Sequence, residues 1–137
     1  MELRSATSAD VDAILAFWVR AGAEPSTTDD APSIEQLLSR SPDALVVATD
    51  GDTIAGSIVV GWDGWRGTMY RLAVAPEYRR SGIATALVAE AEGRLARQGA
   101  RRLHLIVDRE QFVAEAFWSA VGYTPTGQAR FVKNLDT

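Results

Sequence analysis

Leu72-Ala73-Val74-Ala75-Pro76-Glu77-Tyr78-Arg79-Arg80-Ser81-Gly82-Ile83-Ala84-Thr85-Ala86-Leu87 is the stretch on which the reading of this chain turns. It opens as an apolar strand and stops at Pro76, which cannot donate to a β-ladder. Two arginines and a glycine then lead into a helix over residues 82–97, marked by the apolar stripe Ile83, Leu87, Val88, Ala91 and Leu95. Gly99 stands where a C-cap glycine belongs. Backbone N–H groups at a helix start lack intrahelical partners, and the helix dipole adds partial positive charge there. Residues 79–84 are therefore expected to hold an anion such as a pyrophosphate. Gly82 removes a Cβ where a phosphate would approach the backbone, and Ala84 is small for the same reason. Arg79 and Arg80 can add charge-assisted contacts. A plain strand-to-helix connection with solvated arginines has the same local pattern. No Lys-Ser/Thr follows the glycine, so this is not a Walker loop, and three spaced glycines are lacking for a dinucleotide fingerprint.

Upstream, residues 2–6 alternate like a strand with Leu3 inward. Ser8 caps a helix reaching Ala21, with Val11, Ile14, Leu15, Trp18 and Val19 at helical spacing and Gly22 as its stop. A polar loop with Pro25 and Pro32 follows, and Ser33 with Gln36 resembles a capping box for a short helix over residues 34–40. The period then changes. Strands are expected over 44–48, 53–62 and 67–74, joined by turns at Asp50-Gly51-Asp52 and Asp63-Gly64. Downstream come a strand over 102–107, a helix over 110–121 closed by Gly122, and a last strand over 128–135. The order predicts one mixed α/β domain over residues 1–137.

At 137 residues the chain can bury a sizeable core. A net charge of −4 argues against a nucleic-acid partner and mildly favours a cationic one through steering. With no cysteine and one histidine, His104, there is no disulfide framework, thiolate nucleophile or multi-histidine metal site, and no metal is expected. No stretch looks like a signal peptide or a membrane span, so a cytoplasmic location without membrane contact is expected.

The stretch Val74-Ala75-Pro76-Glu77-Tyr78-Arg79-Arg80-Ser81-Gly82-Ile83-Ala84-Thr85-Ala86-Leu87 resembles the acyl-CoA signature of GNAT acetyltransferases, Arg/Gln-x-x-Gly-x-Gly/Ala. The resemblance extends over nearly the whole chain, through residues 103–107 and Phe117-Trp118-Ser119-Ala120-Val121-Gly122-Tyr123. It is nearest to small bacterial members, which also resemble the ribosomal-protein alanine N-acetyltransferases. The resemblance implies a GNAT fold, a mostly antiparallel mixed sheet of about six to seven strands flanked by about four helices. It implies acetyl-CoA as co-substrate and direct transfer to a primary amine of a small molecule or a peptide N-terminus. Homodimerisation is frequent in the family, though no residue here establishes it.

By the same resemblance, the strand before the turn splays from its neighbour, and Leu72, Ala73 and Val74 pair with the pantetheine arm. Arg79, Arg80, Ser81, Gly82, Ile83, Ala84 and Thr85 surround the pyrophosphate. A backbone N–H near Leu72 would meet the thioester carbonyl. The family's usual acid tyrosine corresponds to Trp118, whose indole is a poor acid, so packing against the cofactor arm is its implied role. Gln111 stands where an asparagine often contacts the cofactor. The missing tyrosine keeps open an acyl-CoA-binding regulatory module with little turnover.

The expected strands over 68–74 and 103–107 carry no carboxylate base. Tyr70 is the candidate acid or orienting group, or else packs beneath the acceptor site. Glu24, Asp29 and Asp30 either attract an ammonium or form a solvated acidic loop. Trp62, Trp65 and Arg66 either wall an acceptor pocket or cover a core edge. His104 reads as a surface strand residue.

Overall fold

The computed structural model describes residues 1–107 and 115–135. Its elements run β1 (Glu2–Ser5), α1 (Val11–Ala21), α2 (Ala31–Arg40), β2 (Leu45–Asp50), β3 (Thr53–Trp62), β4 (Gly67–Val74), α3 (Ile83–Gln98), β5 (Leu103–Leu105) and α4 (Glu115–Ala120). The strands form one sheet in the order β1-β2-β3-β4-β5. Neighbours are antiparallel except β4 and β5, which α3 connects in parallel. The mixed α/β architecture agrees with the expectation, with five strands in place of six to seven.

The missing strand is the tail. Residues 128–135 form no ladder, and Phe131 and Leu135 are 93% and 78% exposed. A strand forms only where a neighbour satisfies its backbone groups, and β5 is three residues long. α4 is described only from Glu115, so the start of the expected helix over 110–121 lies outside the described residues.

Two caps differ from the reading of the sequence. Thr7, not Ser8, starts a short 3-10 turn ahead of α1, in a capping box with Asp10. Asp30, not Ser33, caps α2, accepting the Ser33 N–H at 2.8 Å; this leaves Pro32 in the first turn, where its missing N–H is harmless. On α1, Phe17 is buried and Val19 is 82% exposed, because the inward face runs Val11, Ile14, Phe17, Trp18 and Ala21. The α3 stripe is buried at all five expected positions.

The sheet carries a core on each face. α3 covers one, with Val46, Ile58, Met69, Leu72, Val74 and Trp118; α1 and α2 cover the other, with Leu45, Val47, Val59 and Ala73. Met69 and Leu72 cannot share a face of a regular strand, since side chains alternate. They do so because β4 carries an extra residue. Tyr70 pairs with Val59 and Ala73 with Ser57, so three steps on β4 match two on β3. The excess lies at Arg71, which takes a left-handed φ of 55°.

Gly56 fixes how closely α3 approaches the sheet. A Cβ there would stand 2.9 Å from both the Ile83 and the Leu87 side chains, and 3.2 Å from the Ala73 carbonyl. Gly56→Ala is expected to destabilise the fold by about 1–3 kcal/mol through overpacking. A urea-unfolding midpoint equal to that of the parent would contradict this contact.

Candidate active site

The bulge at Arg71 is held from beneath. Trp18 Nε1–H donates to Ser57 Oγ at 3.0 Å, and the Ser57 hydroxyl donates to the Arg71 carbonyl at 3.0 Å. Ser57 is fully buried, so this relay satisfies two polar groups with no access to water. The Arg71 guanidinium lies 4.9 Å from the centre of the Trp18 ring and bonds both oxygens of Asp29 through Nη2, at 2.8 and 2.7 Å. The ring, the carboxylate and the backbone bulge fix that side chain together.

Beyond the bulge, β4 leaves its parallel neighbour. The β4–β5 register covers Gly67, Thr68 and Met69, and a last bond runs from the Ile106 N–H to the Met69 carbonyl at 2.9 Å. Leu72, Ala73 and Val74 bury their side chains; Ala73 and Val74 pair with β3, and among the described residues none of the three pairs on the other side, where a backbone edge faces the gap.

The turn after β4 divides its residues by role. Arg79 donates from Nε to the Val74 carbonyl at 3.2 Å and from Nη2 to Ala21 at 3.0 Å, satisfying an orphan carbonyl at the end of α1. Its side chain braces the turn. Arg80 is exposed at a left-handed φ of 66°, and Ser81 Oγ donates to the Tyr78 carbonyl. Gly82 is the N-cap of α3 at φ 84°, with no side-chain cap bond; a Cβ there would meet no atom within 4 Å. Ile83 is buried and pins the helix start to Gly56, while Thr85 is exposed and Ala84 half-buried. The first intrahelical bond is Ala86 N–H to the Gly82 carbonyl. The N–H groups of Ile83, Ala84 and Thr85 therefore lie before it.

A cavity of about 1150 Å³ opens on the bulge. Tyr70, Arg71 and Leu72 form one wall and Ile106, Val107 and Trp118 another. Residues 23–29, one side of α2, and Arg130, Val132 and Asn134 of the tail complete it. Thr27 donates to Asn134 at 3.0 Å, joining the loop to the tail. Trp118 is 7% exposed, and its indole N–H has no partner among the described residues. Tyr70 is 38% exposed on the cavity wall. Tyr123 does not stand in for the missing phenol of α4: it donates to Glu92 at 2.5 Å, and burial together with that carboxylate pushes its pKa well above the ordinary range.

The acidic loop is largely engaged by the fold. Asp29 pairs with Arg71, and Asp30 caps α2, its carboxyl held below the usual range by hydrogen bonds from Ser33. Glu24 lines the cavity. Trp62, Trp65 and Arg66 do not line it. Arg66 stacks 4.0 Å over the exposed Trp65 ring, and both residues donate backbone N–H groups to Asp63. His104 lies on β5 outside the cavity, near Arg102. Gln111 lies outside the described residues.

Reading the sequence missed Arg71, Ser57 and the tail residues. The three-residue spacing of Met69 and Leu72 was the available signal of a bulge.

The family model described as Acetyltransferase (GNAT) family matches residues 11–123. An acetyltransferase of Pectobacterium atrosepticum is 32% identical over 123 residues, covering 90% of this chain and 87% of that one. The crystal structure of Ard1 from Thermoplasma volcanium superposes with a TM-score of 0.79 at 20% identity, over 92% of this chain and 84% of that one. The PaiA N-acetyltransferase from Thermoplasma acidophilum, solved in complex with coenzyme A, gives 0.76 at 20% identity, over 93% and 92%.

Ser57→Ala strands the buried Trp18 indole N–H and removes the clamp on the bulge. It is expected to destabilise the protein by about 1–3 kcal/mol, read from denaturant unfolding. An unchanged midpoint would show that the relay does not hold β4.

Proposed function

The chain belongs to the GNAT acetyltransferase family, and from that premise we propose that it transfers an acetyl group from acetyl-CoA to a primary amine, on a small molecule or a peptide N-terminus, by direct attack. The observation that carries the proposal is the gap where β4 departs from β5, beside a helix start with no side-chain cap. Three features fit the donor. The open edge at Leu72, Ala73 and Val74 can pair with an amide-bearing arm as with another strand. The N–H groups of Ile83, Ala84 and Thr85, beside the open space at Gly82, suit a pyrophosphate. The indole N–H of Trp118, without a partner among the described residues, is a buried donor on the cavity wall.

Bound acetyl-CoA supplies an acetyl group activated as a thioester. The chain's own residues position it and manage protons. Arg79 braces the turn, so that its backbone and the exposed Arg80, Ser81 and Thr85 face the anion. The Leu72 N–H is the donor nearest the bulge for the reacting carbonyl. Tyr70 holds or moves a proton from its hydroxyl, with water completing the path. Trp118 packs along the donor arm, and Gln111 is proposed as a further polar contact to it. We propose that residues 1–137 act as one domain, a view supported by the single sheet joining both cores.

One observation favours a second reading. Trp118 replaces the usual acid, and Tyr123 is committed to Glu92, so a binding module with little turnover is the alternative. Thiol release, followed across amines, polyamines, amino acids and N-terminal peptides, decides between them. Turnover of an amine is expected; tight acetyl-CoA binding with no turnover would favour the module.

Gly82→Glu is expected to abolish acetyl-CoA binding in calorimetry by filling the approach with a like charge. Gly82→Ala, which shares the backbone strain, is the control; unchanged affinity in Gly82→Glu would overturn the site. Tyr70→Phe is expected to lower kcat on the order of 10²-fold with acetyl-CoA affinity retained. An unaltered rate would leave water as the proton carrier.

A further inference from the structure

The charge lining the cavity is opposite in sign to that of the whole chain. Among the described residues its charged side chains are Arg40, Arg71 and Arg130 against Glu24 and Asp29, three positive minus two negative or +1, whereas the whole chain carries −4. Asp29 is already engaged: both oxygens bond Arg71, and Oδ2 also accepts the Ser26 N–H at 3.0 Å. Among the described residues, an ammonium entering here would find Glu24 as the one lining carboxylate without such a partner, in a lining that also carries three guanidiniums. The described lining therefore does not favour a cation in the way that the net charge of the chain does.

Arg71, although paired with Asp29, has donors left for an anion. A guanidinium offers five N–H donors, and Asp29 engages Nη2 alone. Among the described residues, Nε and Nη1 have no acceptor. The side chain is 16% exposed and stacked on Trp18, and its backbone is locked by Ser57. A ligand carboxylate would meet a donor that is already oriented and partly removed from water, where charge-assisted bonds are strongest. Arg40 and Arg130 are exposed on the same cavity, and no carboxylate among the described residues pairs with either.

We infer that the preferred acceptor is a small amine that also bears a carboxylate, bound at Arg71 with Arg40 and Arg130 around it. This deepens the amine-acetyltransferase reading and rests on it. The class comprises amino acids and related acidic amines, and it disfavours polyamines and aminoglycosides. Tyr70, adjacent in sequence and on the same wall, puts a phenol beside the anchored substrate.

The test compares matched acceptors on the intact protein. L-amino acids, their carboxamides, spermidine and kanamycin are assayed by thiol release, and each is titrated by calorimetry in the presence of coenzyme A. Amino acids are expected to exceed their amides in kcat/KM by about 10–100-fold. Arg130→Gln, in the exposed tail, should reduce that preference several-fold by raising KM with kcat retained. Arg71→Lys keeps the charge but loses the fork, and should erase most of the preference. Equal or better turnover of amides or spermidine, or a preference unmoved in both variants, would overturn the inference. If no acceptor turns over while acetyl-CoA binds, the enzyme reading fails. Calorimetry then decides this one alone: tighter binding of the carboxylate supports it, and equal binding refutes it.

Discussion

A single extra residue in β4 is the constraint from which the site follows. Arg71 sits in left-handed backbone geometry that a non-glycine residue occupies only when its surroundings enforce it. The enforcement is the buried chain from the Trp18 indole through the Ser57 hydroxyl to the Arg71 carbonyl. Three consequences arise together. Met69, Leu72 and Val74 all reach the α3 core. Among the described residues the β4–β5 ladder ends after Met69, leaving a backbone edge in the gap. The Arg71 side chain is delivered to the opposite face, over Trp18 and against Asp29. A regular strand would provide none of these.

In the proposed reading, the donor side and the acceptor side are built from different parts of the same short segment. On the donor side, backbone does most of the work. Arg79, the signature arginine, turns its side chain on the carbonyls of Val74 and Ala21 and so stiffens the turn that presents the start of α3. Close packing of Ile83 and Leu87 over Gly56 fixes that helix against the sheet. On the acceptor side, side chains dominate. The loop after α1, α2 and the tail bring their charges to the cavity that Arg71 enters.

Local signals carried much of this into the sequence. The α3 stripe and Gly82 mark the strand-to-helix turn by spacing, because a helix face and a left-handed cap have strong local signatures, whereas its reading as a donor site rests on the family resemblance. The bulge does not. Residues 68–74 look like an ordinary strand, and only the mismatch of Met69 and Leu72 betrays the slip. Ser57 was invisible because its partner Trp18 is 39 residues away. Asp29 and Asp30 read either as an attractor for an ammonium or as part of a solvated acidic loop, yet each is fixed by a contact that depends on tertiary placement or on the cap position. Residues 128–135 are long enough for a last strand, but the sequence cannot supply a neighbour, and the tail lines the cavity instead of extending the sheet.

The central claim is that the β4 edge and the α3 start form one donor site. It is tested most directly by amide and indole NMR shifts on titration with coenzyme A. The account predicts that the backbone amides of Leu72, Ala73, Val74, Ile83, Ala84 and Thr85 shift together with the Trp118 indole N–H, while β1 and β2 stay still. Saturable binding that leaves those signals unmoved, or that moves only one of the two segments, would contradict it.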